Sequence, residues 1–260
     1  MGRGVNSNVY ALAVSGADLY LGGDFVRATN ASGVAVAAAY IARWNGAAWS
    51  ALGAGLNGSV YALVACGTDL YAGGAFTTAG NTNANRVAKW NGTSWSPLGT
   101  GVDNVVRSLA IVGGALYAGG DFTGAGGAPA KYVARWNGTT WSNLGSEVNR
   151  AVYGLAGAAC DLYVGGLFSA AGATASGYAA KASIPAGDWL SIQTGVPGPN
   201  TNTLRLQAIP NYQYTVEFAT NLTASSWCAF ASNTVPSDGV GIVQDPTATN
   251  HSRFYRLHSP

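Results

Sequence analysis

The sequence predicts an all-β chain: four four-stranded antiparallel sheets stacked side by side, followed by a small β-sandwich. Three observations carry that expectation. The segment VYALAVSGADLYLGGDF at Val9 returns as VYALVACGTDLYAGGAF at Val60, VVRSLAIVGGALYAGGDF at Val105 and VYGLAGAACDLYVGGLF at Val152. Charged residues are only 9% of the 260, against ~25% in ordinary soluble domains, while 37 glycines and 13 tyrosines suit strands and tight turns. Past Val196 the periodicity stops at the turn-rich Val196-Pro197-Gly198-Pro199-Asn200-Thr201-Asn202.

The Leu-Tyr pairs fall at Tyr20, Tyr71, Tyr117 and Tyr163, spaced 51, 46 and 46 residues apart, and Trp44, Trp90 and Trp136 keep the same step. Each copy reads as four short strands. The first is of the VYALAV type. The second, ADLYLGG, is an apolar run without polar alternation, as expected when both faces of a sheet are covered. The third, YIARW, and the fourth, AWSAL, are joined by a tight connection containing Asn45-Gly46, Asn91-Gly92 or Asn137-Gly138, residues that tolerate positive φ. Four strands in ~45 residues is the pattern of a propeller blade, in which each sheet buries both apolar faces against its neighbours. Gly22-Gly23, Gly73-Gly74, Gly119-Gly120 and Gly165-Gly166 end the second strand, where a missing side chain permits close backbone approach or a bulge.

Over Val5 to Val196 this order of Gly-Gly, aromatic and Trp resembles the kelch repeat, although Trp44 stands where that repeat more often has Tyr. The resemblance implies a propeller of the galactose-oxidase type and no particular ligand, because that family serves protein binding, glycan binding and oxidase chemistry alike. In the fourth copy Lys181-Ala182-Ser183 replaces Arg135-Trp136-Asn137, and Trp189 to Val196 is expected to close that unit after Ile184-Pro185-Ala186-Gly187-Asp188. At the other end Gly2-Arg3-Gly4-Val5-Asn6 matches Gly53-Ala54-Gly55-Leu56-Asn57, the tail of a unit. The four units therefore either close a ring or belong to a longer array, and the second is the expectation. An open arc of four units would leave two faces bare, which predicts self-association or partial disorder.

The expected boundaries are a propeller-like array over 1–196, a linker over 197–202 and a β-sandwich over 203–260. In the last, TLRLQA, YTVEFA, WCAFAS, GVGIVQD and RFYRLH read as five short strands. YTVEFATNLTASSW with the closing RFYRL resembles small C-terminal β-domains of large secreted bacterial proteins, which implies an extracellular or surface location. No export signal opens the sequence, and no apolar run reaches the ~18 residues of a membrane span.

Chemistry is sparse. His251 and His258 both lie outside the repeats, so the histidine ligands of a copper oxidase are absent, and no cofactor or metal is expected. Glu147 is the single glutamate of the repeats, so no glycosidase acid pair is evident. Asp18, Asp69 and Asp161 share one repeat position, Asp24 and Asp121 another, which favours architecture over catalysis. Arg43, Lys89, Arg135 and Lys181 place one cation in each unit. Either each pairs within its own sheet over an aromatic, or together they face an anionic ligand. Thirteen basic against 11 acidic residues, without a basic run, exclude nucleic acid. Cys66, Cys160 and Cys228 are expected to be free thiols. Asn30, Asn57, Asn91, Asn137, Asn221 and Asn250 begin N-x-S/T triplets, frequent by chance in so polar a sequence.

The function expected from these residues is non-enzymatic extracellular recognition of a glycan or protein through the segments between strands two and three, Val26 to Ala39 and Thr77 to Asn85. The alternatives are a structural spacer or self-assembling subunit, and a non-catalytic part of a larger secreted carbohydrate-active enzyme.

Overall fold

The computed structural model describes residues 2–145, 148–158 and 161–182 with their side chains, and the backbone of Ser183 and of six later strands between Ser191 and His258. The chain divides into two compact units, Met1–Ser183 and Ile184–Pro260. It is all-β, and every described strand pairing is antiparallel.

In the first unit the repeats become separate sheets. Repeat 1 comprises Val9–Ser15, Asp18–Gly23, Ile41–Trp44 and Trp49–Ala51, hydrogen-bonded in that order. Repeat 2 comprises Val60–Cys66, Asp69–Gly74, Val87–Trp90 and Trp95–Pro97, and repeat 3 comprises Val106–Val112, Ala115–Gly120, Val133–Trp136 and Trp141–Ser142. Repeat 4 has Val152–Ala158, Asp161–Gly166 and Ala179–Ser183. The last hairpin of repeats 1 to 3 is a four-residue turn. Asn45, Asn91 and Asn137 each accept the amides two and three residues on through Oδ1, and Gly46, Gly92 and Gly138 take φ of 92°, 96° and 101°. Across it face Trp44 and Trp49, Trp90 and Trp95, and Trp136 and Trp141, tilted pairs with centroids 5.2–5.4 Å apart.

The sequence placed a fourth strand of repeat 4 at Trp189 to Val196, and the structure does not. Ser191–Thr194 pairs instead with Asn202–Gln207 in the second unit, so the boundary lies after Ser183 rather than at Val196. The cause is visible in the repeat. Ala182 replaces the tryptophan of the third strand, removing the partner that fastens the fourth strand elsewhere. The second unit then holds two three-stranded sheets. Ser191–Thr194, Asn202–Gln207 and Val240–Asp245 form one, and Cys228–Thr234, Gln213–Ala219 and Phe254–His258 the other. The five strands expected beyond the linker are all present, and the sixth is the displaced one.

Successive sheets shield each other. One cluster joins Tyr20 and Ile41 of repeat 1 to Val60, Leu70 and Phe76 of repeat 2, and another joins Ala62 and Val87 of repeat 2 to Val106, Leu109 and Phe122 of repeat 3. Phe25, Phe76, Phe122 and Phe168, at one repeat position, are fully buried, each contributing up to about 3 kcal/mol in removed apolar surface.

A stitch crosses each junction. Gly4–Val5 pairs with Arg27–Thr29, and Leu56, Val102 and Val148, ending repeats 1 to 3, bridge to Ala79, Ala125 and Ala171 of the next. The residue after each bridge locks it. Asn6 Oδ1 accepts the amides of Val26 and Arg27, Asn57 Oδ1 those of Thr77 and Thr78, Asp103 Oδ1 that of Thr123, and Asn149 Oδ1 those of Ser169 and Ala170. The segments between strands two and three, expected as loops, are thus small hairpins such as Arg27–Thr29 with Ala35–Ala37 and Thr78–Ala79 with Thr82–Asn83, pinned by the preceding tail.

Burial pushes the Tyr71 hydroxyl up to about 12, helped by the Asp69 charge, and raises Tyr20 for the same first reason. The folded protein holds a neutral phenol that the unfolded chain ionises near pH 10. That contribution is whole below pH ~10 and is lost as pH rises toward about 12. Alkaline titration followed by circular dichroism is expected to show unfolding in this window. Tyr71→Phe should move the midpoint upward, and an unmoved midpoint would refute the assignment.

Candidate ligand-binding surface

The glycine pairs position the most distinctive surface of the molecule. A Cβ on the second glycine would lie 2.0–2.2 Å from a carbonyl oxygen of its own sheet: Asn8 for Gly23, Ser59 for Gly74, Val105 for Gly120 and Ala151 for Gly166. Only glycine admits that approach. It accompanies a bulge at the start of every first strand, where the register slips between Val9 and Ala11, Val60 and Ala62, Val106 and Ser108, and Val152 and Gly154. The extra residues are Tyr10, Tyr61, Arg107 and Tyr153, and a bulge re-aims the side chain it carries.

Each first strand lies at the edge of its sheet and packs beside the first strand of the next repeat, so these four residues form a row, one per sheet. Tyr10 and Tyr61 stand with ring centroids 5.3 Å apart, and the Arg107 guanidinium lies 4.9 Å from the Tyr153 centroid. Tyr10 and Tyr153 are half exposed and Tyr61 and Arg107 partly so. Polar groups hold the row. Tyr10 Oη and Ser59 Oγ both donate to Asp24, and Asn8 Nδ2 donates to Tyr10 Oη at 3.3 Å. Arg107 grips Asp121 through two nitrogens, Nε at 2.8 Å and Nη2 at 2.6 Å. Hydrogen bonds from Ser59 and then Tyr10 hold Asp24 below the usual carboxylate range, and the bond to Asp24 raises Tyr10.

The row was missed in the sequence although its signal was there: Val-Tyr, Val-Tyr, Val-Arg and Val-Tyr recur at one repeat position. Nothing in the strand pattern marks that position as the bulge, so Tyr10 and Arg107 read as ordinary members of an apolar strand.

The cations singled out from the sequence lie opposite the second-strand tyrosines: Arg43 pairs in register with Tyr20, Lys89 with Tyr71, Arg135 with Tyr117 and Lys181 with Tyr163. Arg43 Nε sits 2.8 Å from Asp18, Lys89 Nζ 3.1 Å from Asp69 and Lys181 Nζ 3.1 Å from Asp161. In repeat 3 that carboxylate position is Ala115. The hydrogen bond to the neighbouring carboxylate raises both Arg43 and Lys181. Each described pair is thus satisfied within its own sheet, and solvent screening leaves pairs this exposed little weight in stability.

A groove of about 630 Å³ between repeats 2 and 3 is lined by Asn85, Arg86, Asp103, Thr123 and Pro129, among others. Burial raises Asp103, yet hydrogen bonds from Thr123 and Gly124 outweigh it and hold the group low, so this carboxylate serves the stitch. Among the described residues no three His, Cys, Asp or Glu side chains gather as a metal site, and no helix is long and apolar enough to cross a membrane. Cys66 is a free, exposed thiol, whereas the side chains of Cys160 and Cys228, both histidines and Glu147 lie outside the described residues.

No protein-family model matches the chain, and no curated protein does. Among solved structures it is similar to the computationally designed Ika4 protein, at 16% identity with a TM-score of 0.46 over 71% of this chain and 96% of that one. It is also similar to the computationally designed Ika8 protein, at 13% identity with a TM-score of 0.40 over 79% of this chain and 70% of that one.

Proposed function

We propose that the chain is a non-enzymatic recognition module, acting outside the cell or at its surface, that holds a glycan along the row Tyr10, Tyr61, Arg107 and Tyr153. The kelch-like order of its repeats and the resemblance of its C-terminal strands to domains of secreted proteins belong to this reading. The single observation that carries it is the row itself. Three amphipathic rings and one guanidinium are aimed from four consecutive bulges, with carboxylates and amides alongside. Tyrosine supplies rigid contact area at low entropic cost, and its ring faces suit the C–H faces of sugar rings while its hydroxyl binds the rim. Arg107 is pre-organised by Asp121 and keeps donors for sugar hydroxyls. Spacing by sheet, one contact per repeat, favours an extended oligosaccharide over a compact ligand.

The test is a glycan array followed by titration of the retained sugar. Tyr10→Ala and Tyr153→Ala, which remove half-exposed rings, are expected to weaken binding about tenfold each, on the order of 1.4 kcal/mol, with an unchanged melting temperature. An array on which no sugar is retained, or variants that bind as the parent does, would overturn the proposal.

A further inference from the structure

From the exposed apolar faces of the first and fourth repeats we infer that the chain binds a second copy of itself head to tail, the fourth repeat of one copy docking on the first repeat of the other. The inference is independent of glycan binding, since it uses the flat faces of the sheets and not the bulged row.

Its template is the junction the molecule already makes three times. At the first junction Tyr20 and Tyr40 of repeat 1 pack with Val60, Leu63 and Ala65 of repeat 2. Val60 Cγ1 and Leu63 Cδ1 reach into the space that Gly22 leaves, where a Cβ would stand 2.4 Å and 3.3 Å from them. Gly73 receives Val106 and Leu109 in the same way, and Gly119 receives Val152 and Leu155.

Both halves of this junction recur, exposed, on repeats 4 and 1. On repeat 4 the equivalents of Tyr20, Tyr40 and Gly22 are Tyr163, Tyr178 and Gly165. Tyr163 is 45% exposed against 8% for Tyr20 and 1% for Tyr117, and Tyr178 is 70% exposed. Among the described residues, a Cβ built on Gly165 would meet only the Tyr178 and Gly154 carbonyl oxygens of its own sheet, at 3.8 and 4.0 Å. On repeat 1 the equivalents of Val60, Leu63 and Ala65 are Val9, Leu12 and Val14, and Leu12 and Val14 are 62% and 68% exposed. One face therefore carries the socket and the other the knobs, both apolar. Because the two faces differ, the contact is heterologous. It closes if two copies satisfy each other and propagates as a chain if they do not.

Light scattering on the purified protein tests this. The parent is expected to grow in mass with concentration. Leu12→Glu spoils the knobs and Gly165→Val fills the socket, both at open positions that leave the fold intact by circular dichroism, with Val14→Glu as a second knob block. Each variant alone is expected to be monomeric. An equimolar mixture of Leu12→Glu with Gly165→Val is expected to recover a one-to-one dimer, because each retains the face the other lacks. A parent that stays monomeric at every concentration, single variants that still assemble, or a mixture that fails to pair would each overturn the inference.

Discussion

Alanine at Gly74 is expected to destabilise the repeat unit by about 3 kcal/mol or more, lowering the melting temperature by on the order of 10 °C. Its new Cβ would fall 2.0 Å from the Ser59 carbonyl oxygen, a backbone atom that cannot swing aside without undoing the bulge. Gly166, 2.2 Å from the Ala151 oxygen, should respond alike. The first glycine of each pair separates two causes. Gly73→Ala drives a methyl to 2.5 Å from Val106 of the next sheet and is expected to cost stability, whereas Gly165→Ala, over which no described sheet of the same chain lies, should leave the monomer within about 0.5 kcal/mol of the parent. Calorimetry on the four variants decides this. Equal losses at Gly73 and Gly165 would show that the pair is required by its own strand and not by the junction.

Trp95→Ala should cost about 3–5 kcal/mol and uncouple repeat 1 from the rest. The ring is buried against Trp90, and its Nε1 donates across the junction to the Leu52 carbonyl at 2.8 Å, as Trp141 does to Leu98. Trp95→Phe keeps most of the volume but strands that carbonyl without its donor, and about 1–3 kcal/mol should be lost. The uncoupling is the sharper signature. In a linear array stability is a sum of units and nearest-neighbour junctions, so a weakened junction should split the single thermal transition into two. A single transition at the parent temperature for Trp95→Ala would disprove the role.

Strand identity was legible because each repeat carries its own punctuation: Asn-Gly for the last turn, Gly-Gly for the end of the second strand and paired tryptophans for the final hairpin. The reading failed where that punctuation lapses. Ala182 in place of tryptophan left Ser191–Thr194 free to pair with Asn202–Gln207, and no residue within 191–194 announces that choice. The candidate row of Tyr10, Tyr61, Arg107 and Tyr153 was half legible. Its residues repeat in the sequence, but their aim depends on a bulge that forms only when the second glycine meets the carbonyl across from it.

Composition and period were enough to determine an all-β chain of repeated sheets, since apolar runs bounded by glycine and asparagine have few other ways to satisfy their backbone hydrogen bonds. Burial was not determined there. Tyr20, Tyr117 and Tyr163 occupy the same place in nearly the same motif, yet one is 8% exposed, one 1% and one 45%, according to whether another sheet lies over it. A local motif specifies its strand, but only the neighbour that packs on it decides which face is core and which is surface.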